Sequence, residues 1–165
     1  RGAKALPARG LTLTKAHWEH RKARGARSWL LWCRAPKDEL KGTSVLRYLE
    51  HGEALGVNER FNCRARDPWY AVENVEPADF FVTYMSREQA RFVRNEAGIR
   101  CMTSLLNVWA KPGVDPTELR PVLEDEANAR ILREFGRTYG GGLGKIEPRE
   151  LLALPIRSLA LSDAA

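Results

Sequence analysis

The sequence predicts an α+β domain: a mixed, mostly antiparallel sheet flanked by N-terminal and C-terminal helices. Two observations carry this. Apolar residues recur at helical spacing over 43–56 and 117–136, after a capped, strongly charged stretch at 14–25, whereas between Arg60 and Ala110 they fall in short runs rich in aromatic and β-branched side chains, separated by turn residues. Helices, then strands, then helices is the order of α+β rather than the alternation of a parallel sheet. Size is the third: 165 residues suffice for one domain with a real core and are short for two.

Thr14 precedes KAHWEHRKARG as an N-cap, and Trp18 is the main apolar anchor of a short, strongly charged helix. SWLLWC, residues 28–33, is an apolar run bounded by charge and by Pro36, the pattern of a buried strand. APKDELKG is a polar connection. In TSVLRYLEHGEALG, Val45, Leu46, Leu49 and Tyr48 recur at helical spacing, with Thr43 or Ser44 as cap and Gly52 or Gly56 near the end. RFNCR, WYAV, FFVTY, ARFVR and CMTSLLNVWA read as strands, punctuated by Asp67-Pro68, Pro77 and Asn95 to Gly98. TELRPVLEDEANARILREFG reads as one helix with Leu119, Val122, Leu123, Ala127, Ile131, Leu132 and Phe135 on its apolar face and Pro121 in its first turn. Gly136 ends it, a glycine loop follows, and PRELLAL is a last short helix.

The net charge of +6 is concentrated at one end. Residues 1–34 hold nine Lys/Arg against one acid, a balance of +8, while residues 35–165 hold 18 against 20, a balance of −2. Lys15, Arg21, Lys22, Arg24 and Arg27 surround the first helix, and such a cluster attracts polyanions by releasing their counterions. A solvated helix face, or one that docks on another part of a longer protein, explains the cluster equally well. No run approaches the roughly 18 uncharged apolar residues of a membrane helix, and no secretory signal opens the chain. Cys33, Cys63 and Cys101 lie far apart, without a C-x-x-C pair, as buried small hydrophobes of a reducing, cytoplasmic setting do. His17 and His20 share a helix face but lack further ligands, so no metal site is expected. From the abrupt start and the AA end, a piece of a longer chain is expected.

GRTYGGGLGKI, residues 136–146, combines glycines with a lysine, as phosphate-binding loops do. It is not a nucleotide loop. A Walker pattern on Gly144 and Lys145 would need a glycine at Tyr139 and a hydroxyl at Ile146, and the dinucleotide pattern would need glycine at Lys145 or Glu147. What remains is an exposed backbone surface flanked by Arg137, Tyr139 and Lys145, with Gly140, Gly141 and Gly142 at its centre, suited to a long polyanion; a plain turn after a helix is the alternative. Two further segments mix arginine, amide and aromatic side chains. RARDPWY places Arg66 beside Trp69 and Tyr70 after a turn, a fork for a base edge next to stacking faces, or else a turn into a core strand. MSREQARFVRNEAG offers Arg87, Arg91, Arg94 and Asn95, but on a strand Arg91 and Val93 share one face and Phe92 and Arg94 the other, so they cannot all reach one ligand.

KDELKGTSVLRYLEHGEALGVNERFNCRARDPWYAV, PADFFVTYMSREQARFVRNEAG and GRTYGGGLGKIEPRELLALPI, in that order, resemble the C-terminal portion of bacterial restriction-modification adenine-N6 DNA methyltransferases, Type II or fused and Type IIG-like. The likeness covers Lys37 to Ile156 and rests on R-x-PWY, then F-x-x-N from Phe92 to Asn95, then YGGG followed by a lysine, a proline, an acid and a hydrophobic-LP ending. It implies a target-recognition domain that grips double-stranded DNA and reads its sequence. A separate N-terminal methyltransferase domain of the same parent would then bind S-adenosylmethionine and methylate a flipped adenine. The catalytic N-P-P-Y/F motif is absent, and residues 120–131 depart from the family's usual helix, so this chain alone should bind no cofactor and transfer no methyl group. The resemblance divides the chain into 1–36, the basic helix and first strand leading in from a catalytic domain; 37–157, the recognition domain; and 158–165, a tail, all in one compact domain. It leaves open whether the parent also carries an endonuclease. Two other classes compete: a nuclease using Glu124, Asp125 and Glu126, whose consecutive positions on a helix point apart and make a poor metal clamp, and a protein-interaction module docking through its basic N-terminal helix.

Overall fold

The computed structural model describes residues 6–7, 12–73, 76–86, 90–102 and 104–153. Arg87, the side chain of Phe135 and the tail from 154 onward lie outside the described residues. The chain divides into two units, one of Arg1–Ala26 with Val75–Ala165 and one of Arg27–Asn74.

The first unit is built on Phe80-Phe81-Val82. Side chains of a strand alternate between faces, so three consecutive apolar residues make a strand that must be covered on both sides. Strand β1 (Phe80–Val82) is the centre of an antiparallel sheet with β3 (Phe92–Arg94) and β4 (Leu106–Val108). Phe80, Val82 and Phe92 pack with Leu123, Leu132 and Ile146, while Phe81 and Val93 pack on the other face with Leu13, Ala78 and Leu105. Leu13 extends the edge of β3, its N–H donating to the Arg94 carbonyl at 2.8 Å and its carbonyl accepting from Ala97 N at 2.8 Å. Immediately after it, Thr14 caps α1 (Lys15–Ala23) by accepting from His17 N.

Past Thr83 the chain leaves this sheet. Strand β2 (Met85–Ser86) joins a second antiparallel sheet, in which β6 (Leu143–Lys145) lies between β2 and β5 (Arg137–Tyr139). The helical stretch before it is two helices, α4 (Pro116–Glu124) and α5 (Glu126–Phe135), not the single one expected. Asp125 breaks it by leaving the helical conformation, at φ −57° and ψ 139°, and capping α5, its carboxylate accepting from Ala127 N and Asn128 N. The buried Asn128 amide donates to the Val122 carbonyl, which the break leaves without a helical donor. Pro121 therefore sits inside α4 rather than in the first turn of a longer helix. Helix α6 (Pro148–Leu152) closes the described chain with a capping box between Glu147 and Glu150.

In the second unit a one-turn 3-10 helix (Lys37–Leu40) leads into α2 (Ser44–Ala54), whose N-cap Thr43 accepts from Leu46 N. Leu49, Leu40 and Tyr70 form its buried core, with Leu31, Val45 and Leu46 packed around them. Three segments expected as strands take other forms here. SWLLWC joins no sheet and leaves Leu30, Trp29 and Trp32 exposed. RFNCR is a helical turn, α3 (Phe61–Arg64), with Phe61 80% exposed, because short-range bonds such as Cys63 N to Arg60 O at 2.8 Å close it on itself. WYAV is a turn held by Ala71 N donating to Pro68 O at 2.8 Å, after a cis Asp67-Pro68 peptide. The α+β class with mostly antiparallel pairing stands, carried by two small sheets in the first unit.

Candidate nucleic-acid interface

The glycine segment is the tip of a β-hairpin. Pairing of Arg137 with Lys145, Thr138 with Gly144 and Tyr139 with Leu143 leaves Gly140, Gly141 and Gly142 as the loop. Gly141 and Gly142 have φ of 75° and 74°, the left-handed region where a side chain is strained, while Gly140 does not. A Cβ at any of the three would meet nothing within 4 Å, so the tip is open backbone.

Directly opposed residues of an antiparallel pair project from the same face, so Arg137, Tyr139, Leu143 and Lys145 share one side of the hairpin. Two cations directly opposite one another repel, and a hairpin built for stability alone avoids the arrangement. Here the repulsion is offset by acids from the cap of α6. Glu147 pairs with Lys145, and Glu150 Oε1 lies 3.4 Å from Arg137 Nε while its other oxygen accepts from Glu147 N at 2.8 Å. The Glu147 carboxylate beside it raises the Lys145 pKa, and the Lys145 ammonium holds Glu147 below the usual carboxylate range. Arg137 remains 70% exposed at its side chain and Tyr139 is exposed.

Helix α1 has no buried residue. Lys15 and Arg24 are exposed and Arg21 and Lys22 half-buried; Lys22 pairs with Glu19 at 2.8 Å, and the buried Arg21 Nε has no hydrogen-bond partner among the described residues. Lys15, Arg21, Lys22 and Arg24 thus belong to the same unit as the hairpin, as do Arg91 and Asn95.

The remaining expected residues are placed differently. Asn95 is buried, its amide donating to the Ala78 and Ile99 carbonyls at 2.8 and 3.0 Å and accepting from Ile99 N, so it fastens the turn after β3. Arg91 donates to the Pro7 carbonyl at 3.0 Å, and Arg94 stacks over Phe80 and pairs with Asp79 at 3.3 Å. Arg66, Trp69 and Tyr70 belong to the other unit. Tyr70 is buried, its hydroxyl donating to the Ala35 carbonyl at 2.5 Å, and burial raises its pKa. Trp69 meets Tyr70 edge to face and donates its indole N–H to Glu53 at 2.7 Å. The hydrogen bond from Lys37 first, and that from Trp69 second, lower the Glu53 pKa. The acids that organise these cations, Glu53, Asp79, Glu147 and Glu150, escape sequence reasoning. Only Glu147 and Glu150 carry a signal, the E-P-x-E spacing of a capping box. Among the described residues no group of three His, Cys, Asp or Glu can hold a metal, and no helix is long and apolar enough to cross a membrane.

The family model for the C-terminal domain of Type II methyltransferase M.Eco57I matches residues 2–165. The chain is 34% identical over 124 residues to Type II methyltransferase M.AccI of Acinetobacter calcoaceticus, a match covering 73% of this chain and 23% of that protein. It is 29% identical over 115 residues to Type II methyltransferase M.XamI of Xanthomonas campestris pv. amaranthicola, covering 70% and 22%. The chain therefore spans under a quarter of the length of these relatives. No solved structure matches it.

Proposed function

The chain belongs to the family of the C-terminal domain of Type II methyltransferase M.Eco57I, and from that premise we propose that it is the DNA target-recognition domain of a restriction-modification adenine-N6 DNA methyltransferase. Its partners in this reading are double-stranded DNA and a catalytic domain of the same parent, which supplies S-adenosylmethionine chemistry in the cytoplasm. The chain itself holds no N-P-P-Y/F motif and takes no part in methyl transfer.

The observation that carries the reading is the cross-strand cation pair of Arg137 and Lys145 beneath an open glycine tip. Both ion pairs are partly exposed, and surface pairs contribute little, so an incoming phosphate competes with Glu147 and with the Oε1 of Glu150 for the two cations. The bare backbone of Gly140 to Gly142 then approaches the duplex closely, and Tyr139 offers a flat face. Arg137, whose guanidinium is mostly exposed, is the proposed base reader, Lys145 a phosphate contact, and α1 a second source of sequence-independent attraction.

Binding of the full-length parent to duplexes carrying its own site and single-base variants tests this. Lys145→Ala should weaken binding to all of them alike and lower the salt slope by about one unit. Arg137→Ala should cost about 1–3 kcal/mol on the cognate duplex and relax preference at one position. Unchanged affinity and preference in both variants would remove the hairpin from the interface.

A further inference from the structure

Helix α2 has two apolar faces. Val45, Leu46 and Leu49 face the core of the second unit, as an amphipathic helix requires. Tyr48, Gly52 and the capping Leu55, at i, i+4 and i+7, form a second stripe. Tyr48 is 64% and Leu55 63% exposed, so this stripe is left in solvent. It borders a cavity of about 410 Å³ that lies wholly within the second unit, floored by Leu49, Trp69 and Tyr70. A Cβ on Gly52 would come within 3.1 Å of the Trp69 ring, so the glycine is what lets this indole sit against the helix. Among the described residues, Arg66 and His51 bring the charged or titratable nitrogen groups to the lining, and no carboxylate lines it.

We propose that this stripe and cavity are the socket for an apolar segment from the rest of the parent methyltransferase, with a bulky side chain seated in the cavity and a carboxylate set against Arg66. This rests on the reading of the chain as one domain of a longer protein. Three observations select the occupant. The relatives are more than four times the length matched here, so most of such a parent lies outside this chain. The lining is apolar with a positive group and no acid, which complements an apolar segment bearing an acid. Duplex DNA, the other partner, presents phosphates along its backbone, and the second apolar stripe of α2 offers them nothing. Arg66 is thereby assigned to domain docking and not to the base edge expected from its sequence context.

Photocrosslinking in the full-length parent tests the assignment. With Tyr48→p-benzoylphenylalanine, the expected product is a crosslink, at the mass of a single chain and independent of protein concentration, to residues outside the 165 of this domain. A dimer-mass product, a crosslink to DNA, a crosslink within residues 1–165, or none would each overturn it. A folding failure of that variant is bypassed by Leu55→Glu, which should speed release of the domain by limited proteolysis at least about tenfold by placing a charge in an apolar interface; an unchanged rate would overturn the proposal. Arg66→Ala should leave site preference intact, so these results separate from those of Lys145→Ala and Arg137→Ala, on which the DNA reading depends.

Discussion

Gly140 and Gly141 are neighbours with different constraints, and they separate close approach from conformation. Gly140 lies outside the left-handed region with open space around it, whereas Gly141 has a φ of 75°. Gly140→Ala should leave the melting temperature unchanged and lower DNA affinity by crowding the backbone. Gly141→Val should destabilise the hairpin by about 1–2 kcal/mol, because a β-branched residue is strained there. Melting curves and duplex binding on both variants check this; equal melting temperatures would contradict the turn geometry. Glu53 is a second residue-level test. Its pKa is depressed in the folded protein, chiefly by Lys37, so the stabilisation it contributes is present above the usual carboxylate range and is lost as pH falls through the lowered value. Glu53→Gln should cost about 1 kcal/mol at neutral pH and nothing once the wild-type carboxyl is protonated, which denaturant unfolding at neutral and acid pH would read. At this scale the sequence was partly legible. Arg137, Tyr139 and Lys145 stand out as charge and aromatic beside glycine, but nothing local shows that Arg137 and Lys145 oppose each other across a hairpin. Nor does anything local show that the Asn95 amide is turned inward onto the Ala78 and Ile99 carbonyls.

Elements with strong local signals are readable and those decided by partners are not. The Thr14 and Thr43 caps start α1 and α2 where the N-cap rule places them. SWLLWC reads as a strand because it is apolar, yet a sheet needs a neighbouring strand, and an apolar run cannot specify one. The long helix was split by Asp125, whose capping preference outweighed the continuous apolar periodicity from Leu119 to Leu132. The second sheet was invisible because its strands, Met85–Ser86, Arg137–Tyr139 and Leu143–Lys145, are mostly polar or glycine, whereas the equally short strands of the first sheet lie within aromatic and β-branched runs. Changing Arg21, Lys22 and Arg24 together to alanine should weaken binding to every duplex similarly and flatten the salt dependence by about one unit of slope for each phosphate no longer neutralised. A slope equal to wild type, measured by titration at several salt concentrations, would assign α1 to docking or to solvent.

Across the whole molecule, the basic N-terminal segment, the paired cations of the hairpin and the family membership support the proposal made above, in which this domain selects where a methyltransferase acts and leaves the transfer to another part of the parent. Reading sequence through a separate domain would make specificity portable. The most direct measurement is a domain exchange. The C-terminal domain of the parent, residues 1–165 here, is replaced by the corresponding segment of M.AccI, the adjoining catalytic portion is kept, and methylated sites are mapped by sequencing the DNA of cells expressing the chimera. Methylation should move to the sequence specified by the donor of the C-terminal segment. Methylation that stays at the site of the protein donating the catalytic portion would contradict it.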